Sequence, residues 1–240
     1  MDPLVSVIVP TWNRVQYLRE ALLSVAAQGY GCIEMIVVDD GSTDGTREAV
    51  EDVIREIAPA RGQDWIDYVF QEHAGVATAR NNGLARATGV FIAFCDSDDH
   101  WVEDKLEKQV AYLEQHPEAR LVFCEYGNYT DIPEDELTES EDRLLHEHAT
   151  QFHLASALVR KELFDELGPY AEEIRFGEDT EWLIRASFAG VDLKHHIPET
   201  LYIRRVHSGN LSLEGTSTAN GMLATMAANL RRMRKGGGAR

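Results

Sequence analysis

The sequence contains no long apolar run, few cysteines and little positive charge. No stretch approaches the roughly 20 apolar residues that a membrane-spanning helix needs. No basic segment followed by an apolar one opens the chain, so we expect no secretion signal. Only 23 lysines and arginines stand against 41 aspartates and glutamates, which gives a formal net charge of −18. Because nucleic-acid binding requires a basic surface, we expect no nucleic-acid partner.

The three cysteines are odd in number and show no motif spacing. They are Cys32, Cys95 and Cys124, each in or beside an apolar segment. This arrangement predicts reduced thiols in a cytoplasmic protein.

A glycine-rich phosphate-binding loop is also absent. Residues 10–13 read Pro-Thr-Trp-Asn, where a dinucleotide-binding fold would carry Gly-x-Gly-x-x-Gly after its first strand. This excludes a nucleotide-dependent dehydrogenase. A sugar nucleotidyltransferase, which would also need glycine and basic residues there, is excluded in the same way.

Apolar segments of strand and helix type alternate through the first half. Strands are predicted at 5–9, 33–38, 66–70, 90–94 and 121–126, and helices at 15–25, 50–57, 76–87 and 102–115. Such alternation indicates an α/β fold with a mostly parallel, Rossmann-like sheet flanked by helices. Ligands then bind beyond the carboxyl ends of the strands.

The second half is less regular and predicts a smaller, mixed portion. Strands are expected at 155–159 and 201–206, a helix at 180–189, and a loop or frayed helix in the acidic stretch 131–148. A C-terminal helix is predicted at 222–233, followed by a basic tail. By position alone, Phe152, His153 and Ser156 are candidates to face a ligand.

The ends of the first two strands carry polar residues. Pro10, Thr11 and Asn13 suit a turn that faces a ligand, and Asn13 is also a candidate N-cap. Asp39 and Asp40 can accept hydrogen bonds from a base or a ribose. The alternative is a tight turn in which Asp40 bends the chain and residue 42 or 43 caps the next helix.

A calcium loop is a further alternative at this turn. Five residues fall at EF-hand spacing, namely Asp40, Ser42, Asp44, Gly45 and Glu51. A strand precedes them, however, where an EF-hand has a helix.

The fourth strand ends in the cluster Asp96-Ser97-Asp98-Asp99, which contains an Asp-X-Asp (DXD) motif. Residues two apart in an extended chain face the same way, so Asp96 and Asp98 can converge. Mg²⁺ and Mn²⁺ commonly bridge such carboxylates to substrate phosphates. Helix capping would explain one aspartate, not three.

Three later sites remain open from the residues alone. Arg80 could stack on a base or pair with a phosphate or a carboxylate. Glu178 and Asp179 either cap a helix or supply a general base. Arg205 could hold phosphate oxygens, and His207 is either structural or a metal ligand.

In this order the motifs resemble the family 2 glycosyltransferases of GT-A fold, over roughly residues 4–213. The resemblance rests on residues 5–14, the turn 38–42, the cluster 96–99, and Glu178-Asp179 with Trp182. The stretches 79–83 and 207–210 also match.

The resemblance implies a role for each site residue. Asp39 would read a uracil or thymine edge, with Thr11 and Arg80 lining the nucleoside pocket. Asp96 would approach the ribose or sugar, and Asp98 would bind Mn²⁺ or Mg²⁺, with His207 as a further ligand. Asp179 would be the catalytic base. Donor-binding residues would be Pro10, Thr11, Asn13, Asp39, Asp40, Arg80, Asp96, Ser97, Asp98, Glu178, Trp182 and Arg205.

The resemblance therefore implies an inverting, metal-dependent hexosyltransferase-type enzyme that uses a nucleotide diphosphate sugar, with UDP favoured. The acceptor is a saccharide, a lipid-linked saccharide or a peptide. A non-catalytic nucleotide-sugar or calcium-binding module is the alternative. We expect one catalytic domain at 1–215, with a nucleotide-binding half at 1–126 and an acceptor half at 127–215. Residues 216–240 would form a helix and a basic tail. A peripheral contact of this tail with the inner membrane face is one alternative for its role.

Overall fold

The computed structural model describes residues 2–62, 65–146, 153–174 and 176–210. Within these ranges the chain forms one eight-stranded sheet with helices on both faces. Phe152 and the predicted C-terminal helix and basic tail lie outside the described residues.

The strands occur in the spatial order β3-β2-β1-β4-β7-β6-β8-β5. They are β1 (Val5–Thr11), β2 (Ile33–Asp39), β3 (Ile66–Phe70), β4 (Phe91–Phe94), β5 (His100–Trp101), β6 (Leu121–Tyr129), β7 (Leu158–Arg160) and β8 (His196–Arg205). The helices are α1 (Val15–Ala26), α2 (Thr46–Arg61), α3 (Val76–Arg86), α4 (Lys105–Gln115), α5 (Glu139–Leu145), α6 (Lys161–Leu167) and α7 (Glu178–Phe188).

Strands β1 to β4 form a parallel half-sheet. β1 pairs in parallel with β2 and β4, and β2 pairs in parallel with β3. Their carboxyl ends therefore meet at one edge, where Asp39 lies opposite both Thr11 and Phe70. β1 continues two residues beyond the predicted end at Val9, and Pro10 is paired with Val38 inside it. The predicted α/β class is confirmed.

The remaining strands form a mixed half. β7 runs antiparallel to both β4 and β6, while β8 is parallel to β6 and antiparallel to β5. β5 was not predicted, and the expected helix at 102–115 begins only at Lys105. His100 and Trp101 pair instead with Ile203 and Tyr202, about 100 residues away, a contact that no local pattern reveals.

Two apolar clusters lie on opposite faces of the sheet. Alternate residues of β1 divide between them, with Val7 in one cluster and Ile8 in the other. Helices α1, α2 and α4 cover the first face, and α3, α6 and α7 cover the second. This packing fixes the strand ends that carry the candidate site.

The first helix does not begin as the sequence predicted. Asn13 is not its N-cap but adopts a positive φ of 50°, and its side chain accepts the Thr43 N–H at 2.9 Å. The Val15 N–H instead donates to Asp44 Oδ2 at 3.0 Å. The turn after β2 thus satisfies a free N–H of α1.

The helix α2 follows Gly45 and has no side-chain cap, so Ser42 and Thr43 do not cap it. Residues 131–146 were expected as a loop or frayed helix. They contain α5, whose start is a capping box between Thr138 and Glu141.

All three cysteines are free thiols, as predicted. Cys95 and Cys124 are buried and Cys32 is half-buried. In the described ranges, no helix combines the length and the apolar character needed to cross a bilayer.

The contact between α3 and β1 gives a test of this packing. A Cβ added at Gly83 would lie 2.4 Å from Ile8 Cγ2, whereas one at Gly31 meets nothing within 4 Å. We expect Gly83→Ala to lower the free energy of unfolding by about 1–3 kcal/mol, because the core cannot expand. Urea unfolding measures this, with Gly31→Ala as the control. Equal effects of the two variants would contradict the packing.

Candidate active site

An open cleft lies beside the carboxyl ends of β2 and β3. Its volume is about 450 Å³. The residues that line the cleft are Asp39, Ser42, Thr43, Gly45, Thr46, Arg47, Glu48, Tyr68 and Phe70. The cleft therefore adjoins the turn at which the sequence predicts nucleoside binding.

Asp39 is held by donors on both carboxylate oxygens. Oδ1 accepts the Ser42 N–H at 2.8 Å, and Oδ2 accepts the Tyr68 hydroxyl at 2.6 Å. The Arg47 guanidinium lies 4.7 Å from the centre of the Tyr68 ring. Burial, followed by the hydrogen bond to Asp39, raises the pKa of Tyr68, so its hydroxyl keeps the proton that it donates.

Two predicted donor residues from β1 lie next to this cleft. Thr11 is buried beside Asp39, and its Oγ1 has no hydrogen-bonding partner in the described part of the chain. A buried hydroxyl without a partner is costly, so Oγ1 is available to a ligand that enters the cleft. Pro10 is buried within β1, and the prediction that it contacts donor is not supported by its position.

Asn13 and Asp40 connect loops within the protein. Asn13 links its turn to Ser42 and Thr43. The Asp40 side chain, buried at the same edge, accepts from Gln71 Nε2 at 2.8 Å and from the N–H groups of Ala74 and Gly75 at 2.8 and 2.9 Å. Asp40 therefore anchors the segment before α3, and donor binding by these two residues remains a prediction.

The calcium alternative loses its ligands in this arrangement. Asp40 faces residues 71–75, Ser42 Oγ accepts the Asn13 N–H, and Asp44 bonds to Val15 and Thr46. Across the described ranges, no group of three or more His, Cys, Asp or Glu side chains is arranged to hold a metal ion.

The acidic cluster after β4 divides into three separate environments. Asp96 accepts from Arg80, Asp98 lies beside His207, and Asp99 is buried. Asp99 accepts the Arg205 N–H at 2.7 Å and the Tyr202 hydroxyl. Burial, together with Asp98 and Asp96, raises its pKa well above the ordinary range. Asp99 therefore fixes the loop to β8. Ser97 is buried between its neighbours.

Asp98 and His207 meet as the metal prediction requires. Asp98 Oδ2 lies 3.0 Å from His207 Nε2 and 3.7 Å from Arg14 Nε. The Gly209 N–H donates to His207 Nδ1 at 3.1 Å. Nε2 therefore carries the ring proton and donates it to Asp98.

A carboxylate and an imidazole are chemically suitable ligands for Mn²⁺, and Mg²⁺ needs only the carboxylate. Both ions would take their other ligands from donor phosphates and water. A cation bound to Nε2 would displace the ring proton to Nδ1, so His207 would lose the contact with Gly209. Asp98 fits the predicted ion directly, and His207 fits it after that rearrangement.

Arg80 is not among the residues that line the cleft beside Asp39, so its position does not support the predicted place in the nucleoside pocket. It is buried, with Nη2 2.8 Å from Asp96 Oδ1 and Nη1 bonded to Glu178 Oε1. Burial opposes its charge, but Asp96 and then Glu178 hold its pKa well above the ordinary value. The carboxylate-pairing alternative is the one that the structure contains.

Asp179 and Trp182 on α7 have different surroundings. Asp179 is half-buried, and its Oδ1 accepts the Thr180 N–H at 2.7 Å. Trp182 is 0 % exposed, stacks on Phe164 and donates to the Gly168 carbonyl at 3.1 Å. Because the ring is fully enclosed, the position of Trp182 does not support the predicted contact with donor.

Arg205 is also enclosed, and its position does not support the predicted contact with phosphate. Its guanidinium lies 5.0 Å from the ring centres of both Tyr17 and Tyr129 and pairs with Glu20 and Asp131. Its Nε donates to the Asp98 carbonyl at 3.2 Å. Arg205 therefore fastens the acidic loop to α1 and β6.

Three residues near the site were not singled out by the sequence analysis. Tyr68 lies beside Asp39, and Arg14 lies beside Asp98. Half-buried Arg204 acts electrostatically on Asp96. Strand alternation could have separated Arg204 from Arg205. The position of Tyr68 required the knowledge that β3 neighbours β2.

The profile of the Glycosyl transferase family 2 matches residues 6–168. The chain belongs to glycosyl transferase family 2. EpsJ of Bacillus subtilis, an uncharacterized glycosyltransferase, is 31 % identical over 227 residues, which are 88 % of this chain and 64 % of EpsJ. The putative teichuronic acid biosynthesis glycosyltransferase TuaG of the same organism is 44 % identical over 111 residues, which are 46 % of this chain and 42 % of TuaG.

Solved structures of other proteins share the fold. The mannosyltransferase PcManGT of Pyrobaculum calidifontis, in complex with GDP-Man and Mn²⁺, has a TM-score of 0.74 at 26 % identity, over 96 % of this chain and 65 % of that one. S. aureus TarS 1-349 with UDP-GlcNAc has a TM-score of 0.70 at 24 % identity, over 88 % of this chain and 61 % of that one. The predicted GT-A fold is confirmed. The chain spans less than two thirds of these relatives.

The anchoring role of Asp40 is testable in this family 2 chain. We expect Asp40→Ala to lower the free energy of unfolding by about 1–2 kcal/mol, because it leaves the partly buried N–H groups of Ala74 and Gly75 without their acceptor. Asp52→Ala, which removes an exposed partner of Arg55, is the control and should cost less than about 1 kcal/mol.

Calcium titration of the same proteins tests the alternative reading of this turn. We expect added calcium to leave the urea midpoint of the wild type unchanged. A calcium-dependent rise that Asp40→Ala abolishes would restore the calcium site.

Proposed function

We propose that this chain is an inverting, metal-dependent glycosyltransferase that uses a nucleotide diphosphate sugar, with UDP as the favoured nucleotide. The observation that carries the proposal is the bridge from Asp96 through Arg80 to Glu178. It places the start of α7, and with it Asp179, beside the acidic loop after β4. Donor-binding acids and a candidate base therefore share one edge of the sheet.

The cleft beside Asp39 is the proposed nucleoside site. Its carboxylate retains lone pairs after accepting from Ser42 and Tyr68, and these can receive a base N–H. Thr11 Oγ1 offers a further polar contact. Arg47 and the exposed ring of Phe70 form the outer part of the cleft.

Asp98, with His207, is the proposed holder of Mn²⁺ or Mg²⁺ against the diphosphate. PcManGT, the structural relative in complex with GDP-Man and Mn²⁺, supports a divalent cation as part of the donor site. The ion would supply positive charge for the departing phosphate. A protein of net charge −18 needs such a local charge to attract an anionic donor.

Asp179 is the proposed general base. Its Oδ1 is oriented by the Thr180 N–H, which leaves Oδ2 to take the proton of an acceptor hydroxyl. The acceptor oxygen then bonds to the anomeric carbon from the face opposite the phosphate. The carbon–phosphate oxygen bond breaks with its electron pair on the nucleotide diphosphate, so the anomeric centre inverts.

The acceptor is proposed to be a saccharide, a lipid-linked saccharide or a peptide, bound by the half that begins at residue 127. Residues 1–126 are the proposed nucleotide-binding half. Free thiols support a reducing compartment such as the cytoplasm. Peripheral contact of the tail with the inner membrane face stays a prediction.

A donor screen tests the function directly. We expect the chain with Mn²⁺ to release nucleotide diphosphate from one UDP-sugar, and chelator to abolish both release and donor binding. Calorimetry measures the binding. Donor affinity that is unchanged by metal removal would contradict the metal-dependent site.

Two substitutions separate binding from transfer. Asp179→Asn should keep donor affinity but lower kcat by roughly 10²–10⁴-fold, because the amide cannot accept the proton. Asp98→Ala should lose both donor binding and transfer. Asp165→Asn, at an exposed carboxylate on α6, is the control. Transfer at the normal rate by Asp179→Asn would refute the base assignment.

A further inference from the structure

One buried guanidinium joins two segments that are far apart in sequence. Arg80 on α3 bonds through Nη2 to Asp96, after β4, and through Nη1 to Glu178, the first residue of α7. The side chains of Arg80 and Glu178 are each 9 % exposed, so solvent does not replace these contacts. None of these three residues lines the cleft beside Asp39.

We propose that Arg80 is a positioning residue that sets the placement of Asp179 relative to the donor-binding loop by holding Asp96 and Glu178 with separate nitrogens. The inference rests on the proposed function, because it assigns Asp179 the role of the base. It concerns the geometry and charge of the site, and Arg80 itself contacts neither substrate.

The surroundings of Arg80 make the bridge rigid. Its guanidinium carbon lies 5.7 Å from the ring centres of Phe94 and Tyr170, so two aromatic rings enclose the planar group. The helix α3 is itself pressed against β1, where Gly83 allows contact with Ile8. The planar guanidinium of Arg80 donates from two nitrogens at a fixed spacing. The position of the loop after β4 therefore determines the position of the start of α7.

Arg80 contacts the start of the helix α7 directly. The N-cap of the helix is Gly177, in left-handed conformation and without a side-chain cap. Later in the helix, Trp182 bonds to Gly168 and Arg185 to Leu167. The bond from Arg80 to Glu178 holds the first residue of the turn that also bears Asp179.

The same bridge supplies positive charge to a group of acids. The charged and titratable groups facing it are Asp96, His153, Tyr170, Glu178, Asp179 and Arg204. Burial raises the pKa of Glu178, Arg80 opposes this, and Asp179 adds to it. Without Arg80, the pKa of buried Glu178 would rise further.

The experiment compares Arg80→Lys and Arg80→Met with wild type through pH profiles of kcat and kcat/KM. Arg86→Met is the matched control, because Arg86 lies on the same helix and pairs with exposed Asp67. Lysine keeps the charge but has one nitrogen, which cannot hold both acids in the same geometry.

We expect Arg80→Lys to lower kcat at least about tenfold with little change in donor KM and a nearly unchanged acid limb. Arg80→Met should lower kcat further. It should also move the acid limb upward by about one pH unit or more, because a carboxylate that loses a neighbouring cation holds its proton to higher pH. Arg86→Met should match wild type in both respects.

A double variant keeps the test informative if Arg80→Met fails to fold. Arg80→Met/Glu178→Gln removes the unpaired buried acid together with the cation. We expect its acid limb to return to near the wild-type pH while kcat stays low, because the tether is still missing. A merely structural role for Arg80 would lower the yield of folded protein without these pH shifts.

Failure of the proposed function gives a different result. If the wild-type protein consumes no sugar nucleotide, the proposed function is refuted. NMR titration of the Glu178 and Asp179 carboxyl carbons, which needs no substrate, still tests the bridge. Positioning is overturned if Arg80→Lys keeps wild-type kcat. The charge effect is overturned if neither the acid limb nor the carboxyl titrations move in Arg80→Met.

Discussion

Negative charge concentrated at one edge of the sheet is the constraint on which the site depends. The strand ends and the start of α7 bring together Asp39, Asp96, Asp98, Asp99 and Glu178-Asp179. In a low-dielectric interior these groups would repel one another or take up protons. Arg80 opposes this charge for Asp96 and Glu178. Arg205 holds the backbone of the loop that carries Asp98, while its own charge pairs with Glu20 and Asp131.

The carboxylates at this edge consequently differ in what they can do. Asp40 and Asp99 direct their oxygens to protein donors and hold loops in place. Asp98 is more open to solvent and lies beside an imidazole. Asp179 is fixed on one oxygen only by its neighbour. Similar residue types thus separate into anchoring groups and groups available for chemistry, and their hydrogen-bond partners make the distinction.

The sequence predicted the α/β order, the parallel half-sheet and the edge where the site lies. These features depend on local patterns, such as the fully apolar strand β4 and the polar turn after β2. The sequence did not predict β5, because its pairing with β8 depends on residues about 100 positions away. It also did not predict that Arg80, Trp182 and Arg205 are buried. Their roles depend on which face of an element turns inward, which one motif cannot determine without the neighbouring elements.

The register of β8 assigns opposite roles to two adjacent arginines. Arg204 acts on Asp96 and His153, while Arg205 is enclosed between tyrosines on the other side. Irregular pairing between β6 and β8 near Glu125 fixes which residue turns each way. A single-residue insertion or deletion in β8 would exchange the two side chains. Homologues should therefore vary in the side chains of this strand far more readily than in its length.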